Sequence, residues 1–121
     1  MEVHNGGMIM AAAVDPNGHV AHSWGKAPVV AVASVEDGEV TSWREHPVGW
    51  DLLHDEGTPG SHHARVVTFL RNHCVEVVLV DHVGDGMRRM LPSMGIRLVE
   101  GAQGRAREAM VAAVSGPESA A

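Results

Sequence analysis

At 121 residues the chain has the length of one domain, enough to bury roughly two-thirds of its unfolded surface around a single core. A formal charge of −6, nine scattered Lys and Arg and 3% aromatics exclude the basic, stacking-rich footprint of a nucleic-acid binder. One cysteine, Cys74, excludes an internal disulfide framework and a self-sufficient thiolate-ligated iron–sulfur site.

The apolar runs fall far short of the ~20 residues of a membrane span, and no basic-then-apolar leader opens the sequence. The chain is therefore expected to be soluble, cytoplasmic and without a membrane or nucleic-acid partner. Histidine is the outlier: there are nine, and His54, His62, His63, His73 and His82 crowd the middle of the chain. Neutral imidazole is the commonest metal ligand, so the group points to a metal or metallocofactor.

In chain order, residues 1–7 are polar, glycine-rich and expected to be a flexible end. Met8 to Val14 is an apolar first strand, stopped by Asp15-Pro16-Asn17-Gly18. Val29 to Val35 is a second strand, and Glu36-Asp37-Gly38-Glu39 has hairpin chemistry leading to an antiparallel third strand, Val40 to His46. Alternation of Val40, Ser42 and Arg44 with Thr41, Trp43 and Glu45 suits a sheet edge. Pro47 to Gly60, with Trp50, Asp51, His54, Asp55 and Glu56, is a loop long enough to be functional.

A first helix is predicted from Pro59 or Ser61 to His73, capped by Thr58 or Ser61, with Val66, Val67, Phe69 and Leu70 facing a sheet. Val75 to Val80 is almost continuously aliphatic, the pattern of a central strand covered on both faces. Gly84-Asp85-Gly86 opens a second helix, Met87 to Met94, which the pre-proline restriction at Leu91 shortens or breaks. Ile96 to Val99 is a fifth strand and Arg105 to Val114 a third helix. Residues 115–121 read as a second flexible end, leaving a core of about 8–114 in a single domain over 1–121.

These elements make an α/β fold with a mixed five-stranded sheet of order 3-2-1-4-5, flanked by helices, in which only the second strand runs against the others. The first and fourth strands then lie side by side and parallel, bringing Asp15 and Asp81-His82 out at one end. His62 and His63, at the start of the first helix, begin there, and the loops with His22 and His54 lead to it. Ligands of open α/β sheets bind at the carboxyl ends of such strands.

The chain resembles the dinitrogenase iron–molybdenum cofactor biosynthesis family, small domains of nitrogenase accessory proteins and their relatives. The resemblance lies in the first strand, Trp24-Gly25-Lys26-Ala27-Pro28, the Asp37-Gly38 hairpin, the His- and Gly-rich loop before the first helix, Val75 to Val80 with its glycine turn, and Leu91 through Gly95-Ile96. It implies a three-layer ribonuclease-H-like fold and a non-catalytic role in binding or carrying a metallocofactor for an acceptor protein. The family's motif reads His-Phe-Gly-Arg-Ala-Pro. Ser23 and Trp24 stand where it has histidine and phenylalanine, and His22 comes one residue early.

For the metal, two imidazoles in a first helical turn are kept neutral by the positive end of the macrodipole. The expected ligands are His54, His62 and His63 with His22 assisting, and Asp55 or His82 in reserve; zinc, nickel, copper or iron would suit them. Gly84, Gly86 and His82 are the candidate cofactor-binding residues, because a Gly-Asp-Gly turn at a helix start can form a backbone nest. Cys74, between two buried elements, reads as structural. Two alternatives remain: a small metal-dependent hydrolase using Asp15, Asp81 and Asp85, and an interaction module without a ligand.

Overall fold

The computed structural model describes residues 7–53 and 56–115, so most of both expected flexible ends, together with His54 and Asp55, lies outside the described residues. The elements run β1 (Met8–Ala13), β2 (Val29–Glu36), β3 (Glu39–Pro47), α1 (Trp50–Leu53), α2 (Pro59–Asn72), β4 (Val77–Leu79), α3 (Asp85–Ser93), β5 (Arg97–Val99) and α4 (Ala106–Ser115). The sheet order is β3-β2-β1-β4-β5, as expected from the pattern. β2 is antiparallel to both its neighbours, while β1 pairs parallel with β4, and β4 with β5.

Side chains alternate across strands with a period of two, and here the two sets feed two different cores. From β1, β4 and the residue just after it, Ala11, Ala13, Val78 and Val80 join Val66 and Leu70 of α2 and Met87 and Leu91 of α3. Met10, Ala12, Val77 and Leu79 join Met110 and Ala113 of α4 on the other face. The continuous apolar runs of β1 and β4 are thus explained by burial on both sides, and the molecule has three layers: α2 and α3, sheet, α4.

Local rules hold at the joints. Asp37 and Gly38 both have positive φ, 52° and 79°, the geometry of a two-residue type I′ hairpin. Thr58 caps α2 by accepting from the Ser61 amide at 3.0 Å, and Ser61 Oγ accepts from the Thr58 amide at 3.0 Å. α3 starts two residues before Met87 and is short, ending at Ser93, one residue after Pro92, with Met94 as its C-cap.

Three expectations need correction. The strict strand pairing of β4 covers Val77–Leu79 rather than Val75 to Val80. In β3 the half-buried positions are Val40, Trp43 and His46: a bulge opposite Ser34/Val35 puts Val40 and Trp43 on the same face, and His46, three residues on, is half-buried on the other, against Phe69. Cys74 is exposed, not packed between elements, and has φ of 55° just beyond the end of α2.

Candidate metal centre at the carboxyl ends of β1 and β4

β1 leaves the sheet through a turn organised by Asp15, whose Oδ1 accepts from the amides of Asn17 at 2.9 Å and His19 at 3.0 Å. The chain then returns toward the sheet and lies against the residue that follows β4. The His82 amide donates to the His22 carbonyl at 3.0 Å, and the Trp24 amide donates to the His82 carbonyl at 3.2 Å. This parallel bridge of Ser23 with His82 places two imidazoles side by side: His22 and His82 are stacked, with centroids 5.4 Å apart and planes 6° from parallel.

Asp81 lies beneath them. His22 Nδ1 donates to its Oδ2 at 3.2 Å, and Gln103 Nε2 donates to its Oδ1 at 3.3 Å. The Gln103 hydrogen bond, then that of His22, hold the Asp81 carboxyl below its ordinary range against the opposing effect of burial; the charges of His22 and His82 act in the same sense as the hydrogen bonds. In the neutral ring, Nδ1–H committed to a carboxylate leaves the lone pair on Nε2 of His22. The His22 side chain is 78% exposed, so that nitrogen is open to a ligand.

His62 and His63 have different surroundings. His62 is 4% exposed. Its Nε2 donates to the Gly25 carbonyl at 2.8 Å and its Nδ1 accepts from Arg65 at 2.8 Å, while Arg65 also donates to the Leu53 carbonyl at 3.3 Å. The edge of Trp50 meets the His62 ring, and Trp24 meets Trp50 edge-on. His62 therefore fastens the Trp24-Gly25 segment and the end of α1 to α2.

His63 is half-buried and lies over the first turn of α3. A Cβ built on Gly86 would stand 2.8 Å from His63 Cε1, so the glycine is what admits the ring. Gly84 is the N-cap residue of α3. Asp85 is paired with Arg88, which also donates to Glu100 at 3.0 Å.

The structure thus gathers His22, Asp81 and His82 with Gln103, seats His63 and Gly86 against each other in the turn that follows, and buries His62 behind them. Among the described residues, no three or more His, Cys, Asp or Glu are arranged to hold a metal ion. Asp15, Asp81 and Asp85 do not form a carboxylate group there, each being engaged with other partners. Sequence reasoning missed Gln103 and Arg65. Arg65, three residues after His62, had a helical spacing that could have signalled contact; Gln103, in a distant turn, had none. The indole Nε1 of fully buried Trp24 has no hydrogen-bond partner among the described residues.

The fold is shared with solved structures. PH0822 matches with a TM-score of 0.70 and 22% identity, over 90% of this chain and 92% of its own. Methanocaldococcus jannaschii MJ0327 matches in its crystal structure with a TM-score of 0.59 and 16% identity, over 90% of this chain and 89% of its own. Its NMR structure gives 0.61 and 14%, over 90% and 88%. At such identities the likeness establishes the fold alone. No curated protein matches the chain. The family described as dinitrogenase iron-molybdenum cofactor matches residues 7–116, nearly the whole length, and the chain belongs to that family.

Proposed function

We propose that this protein binds a transition metal ion or metallocofactor at the carboxyl ends of β1 and β4 and hands it to an acceptor protein, with no catalytic step of its own. The observation that carries the reading is the Asp81–His22 hydrogen bond. A carboxylate on one ring nitrogen fixes the tautomer and leaves the other nitrogen as a basic, oriented ligand, the arrangement found behind metal-bound histidines. His82, stacked beside it, supplies a second imidazole after a side-chain rotation, and His63 and His54 supply further ones. His62 serves the site by holding the Gly25 segment in place. Gly84 leaves open space at the start of α3 where a cluster can approach the backbone, and Gly86 makes room for the His63 ring.

Few ligands and an exposed position favour exchange over retention, which is what a carrier requires. Zinc, nickel, copper and iron all accept imidazole. The family assignment supports a cofactor as cargo. The hydrolase alternative is disfavoured by the engagement of Asp15, Asp81 and Asp85 with other partners.

Elemental analysis of gently purified protein, followed by titration with the four metals, tests the reading. The expected result is bound metal, with one equivalent lost in the His22→Gln/His82→Gln protein. If the unaltered protein takes up none of the four, the carrier reading fails and the interaction module remains; hydrolytic turnover on adding metal would support the enzyme instead.

A further inference from the structure

A second pair of histidines lies away from the residues just described. His46, near the end of β3, and His73, which caps the carboxyl end of α2, have ring centroids 4.4 Å apart and planes tilted by 50°. Phe69 packs against both, at 5.5 Å from His46 and 4.5 Å from His73, and so fixes the two imidazoles relative to each other. Both rings are half-buried, and neither makes a side-chain hydrogen bond within the described residues. They border a cavity of about 300 Å³ that Ser42 and Arg44 also line. Two polar rings lean on a phenylalanine, share an opening and leave their nitrogens unused.

Ligand geometry narrows what such a pair accepts. With metal–nitrogen bonds of about 2.0–2.1 Å, two imidazoles in adjacent positions at a right angle have centroids about 4.5 Å apart, whereas tetrahedral positions spread them to about 5.2 Å. The observed separation matches the right-angled case, which divalent copper and nickel adopt in tetragonal sites. His73 lies at the negative end of the α2 macrodipole, which favours a cation. Arg44 opposes one, so the site selects an ion held by strong bonds to nitrogen over one held by charge alone.

From this juxtaposition we infer that His46 and His73 form a two-imidazole site for a divalent copper-class ion, with water completing the coordination, separate from the centre at β1 and β4. Copper leads the affinity order for nitrogen ligands, with nickel next below it and zinc weaker than copper. The inference does not rest on the carrier reading.

The test is a calorimetric titration of the whole protein with copper(II) and with nickel(II), together with electron paramagnetic resonance of the copper form. The His46→Gln/His73→Gln protein is expected to bind one equivalent fewer, or to bind it at an affinity lower by more than the about 10–100-fold cost of a lost outer-shell contact. The His22→Gln/His82→Gln protein should retain that equivalent, with hyperfine structure from two nitrogens. Unchanged stoichiometry and affinity in the His46/His73 variant would overturn the assignment. Should that variant not fold, His73→Gln added to the His22/His82 variant decides: a two-nitrogen pattern that falls to one nitrogen upholds the site, and an unchanged pattern refutes it. Failure here leaves the centre at β1 and β4 untouched, because its own variant is scored by the other equivalent.

Discussion

The neighbouring residues His62 and His63 have different surroundings, and on the proposed reading substitution should separate them. His62→Ala removes a buried ring that bonds both the Gly25 carbonyl and Arg65. Orphaning a buried group costs about 1–3 kcal/mol, so thermal melting should show a clear loss of stability. His63→Ala should melt close to the unaltered protein yet bind metal more weakly. Gly86→Ala tests the same point from the other side of the contact. Alanine favours a helix over glycine by up to about 1 kcal/mol, but its Cβ would stand 2.8 Å from His63 Cε1 and must push the ring aside. Stability should hold or rise while metal affinity falls; affinity equal to that of the unaltered protein would remove His63 from the site. The sequence revealed that these histidines start a helix, but not that one of them turns inward. That direction depends on Gly25, a carbonyl from another part of the chain, and a backbone partner leaves no mark in residue types. His22 was similarly hidden: its position one residue early mattered less than the bridge of Ser23 with His82, which brings it back beside Asp81.

Elements were more legible than contacts, because the two-sided burial of β1 and β4 is written in continuous aliphatic runs and the Asp37-Gly38 turn in its chemistry. What escaped was short or irregular. α1 covers four residues, too few for a helical period, and the bulge in β3 turns Trp43 to the face of Val40 without changing composition. The end of α2 gives a sharper lesson. The Val75 amide reaches back to the Leu70 carbonyl at 3.0 Å, and Cys74, with φ of 55°, occupies the left-handed position that glycine usually takes after a helix. Relief of a left-handed penalty of roughly 1–2 kcal/mol, less the roughly 0.4–1 kcal/mol of entropy that glycine adds to the unfolded chain, means that Cys74→Gly should stabilise the protein modestly, read as a higher urea midpoint at unchanged slope. A lower midpoint would mean that the thiol contributes packing that its exposure hides. Leu70, fully buried where α2 meets the sheet, measures that layer's contribution: Leu70→Ala should cost about 2–5 kcal/mol.

For the molecule as a whole, acid should weaken the fold in two separate ranges. Burial first, then the charges of His73 and Arg44, lower the pKa of His46 from its ordinary 6.5. The folded protein thus takes up this proton less readily than the unfolded chain. Its stability is fully present above about 6.5 and declines as pH falls from there through the lowered folded value. Asp81 acts further down. Its hydrogen bonds from Gln103 and His22 hold it below its ordinary 3.8, so its contribution is intact above that value and disappears as pH falls through the depressed folded one. One group sits between β3 and α2, the other joins the ends of β1 and β4 to the turn bearing Gln103, so the two losses test different parts of the structure. Urea midpoints measured against pH, with a chelator present to keep metal from competing for imidazole, should show both declines. His46→Asn should flatten the upper one and leave the lower in place. Asp81→Asn, which keeps an acceptor for His22 without a titrating carboxyl, should do the reverse. A profile in which either substitution changes both ranges equally would mean that acid acts on the overall charge of the chain and not through these two contacts.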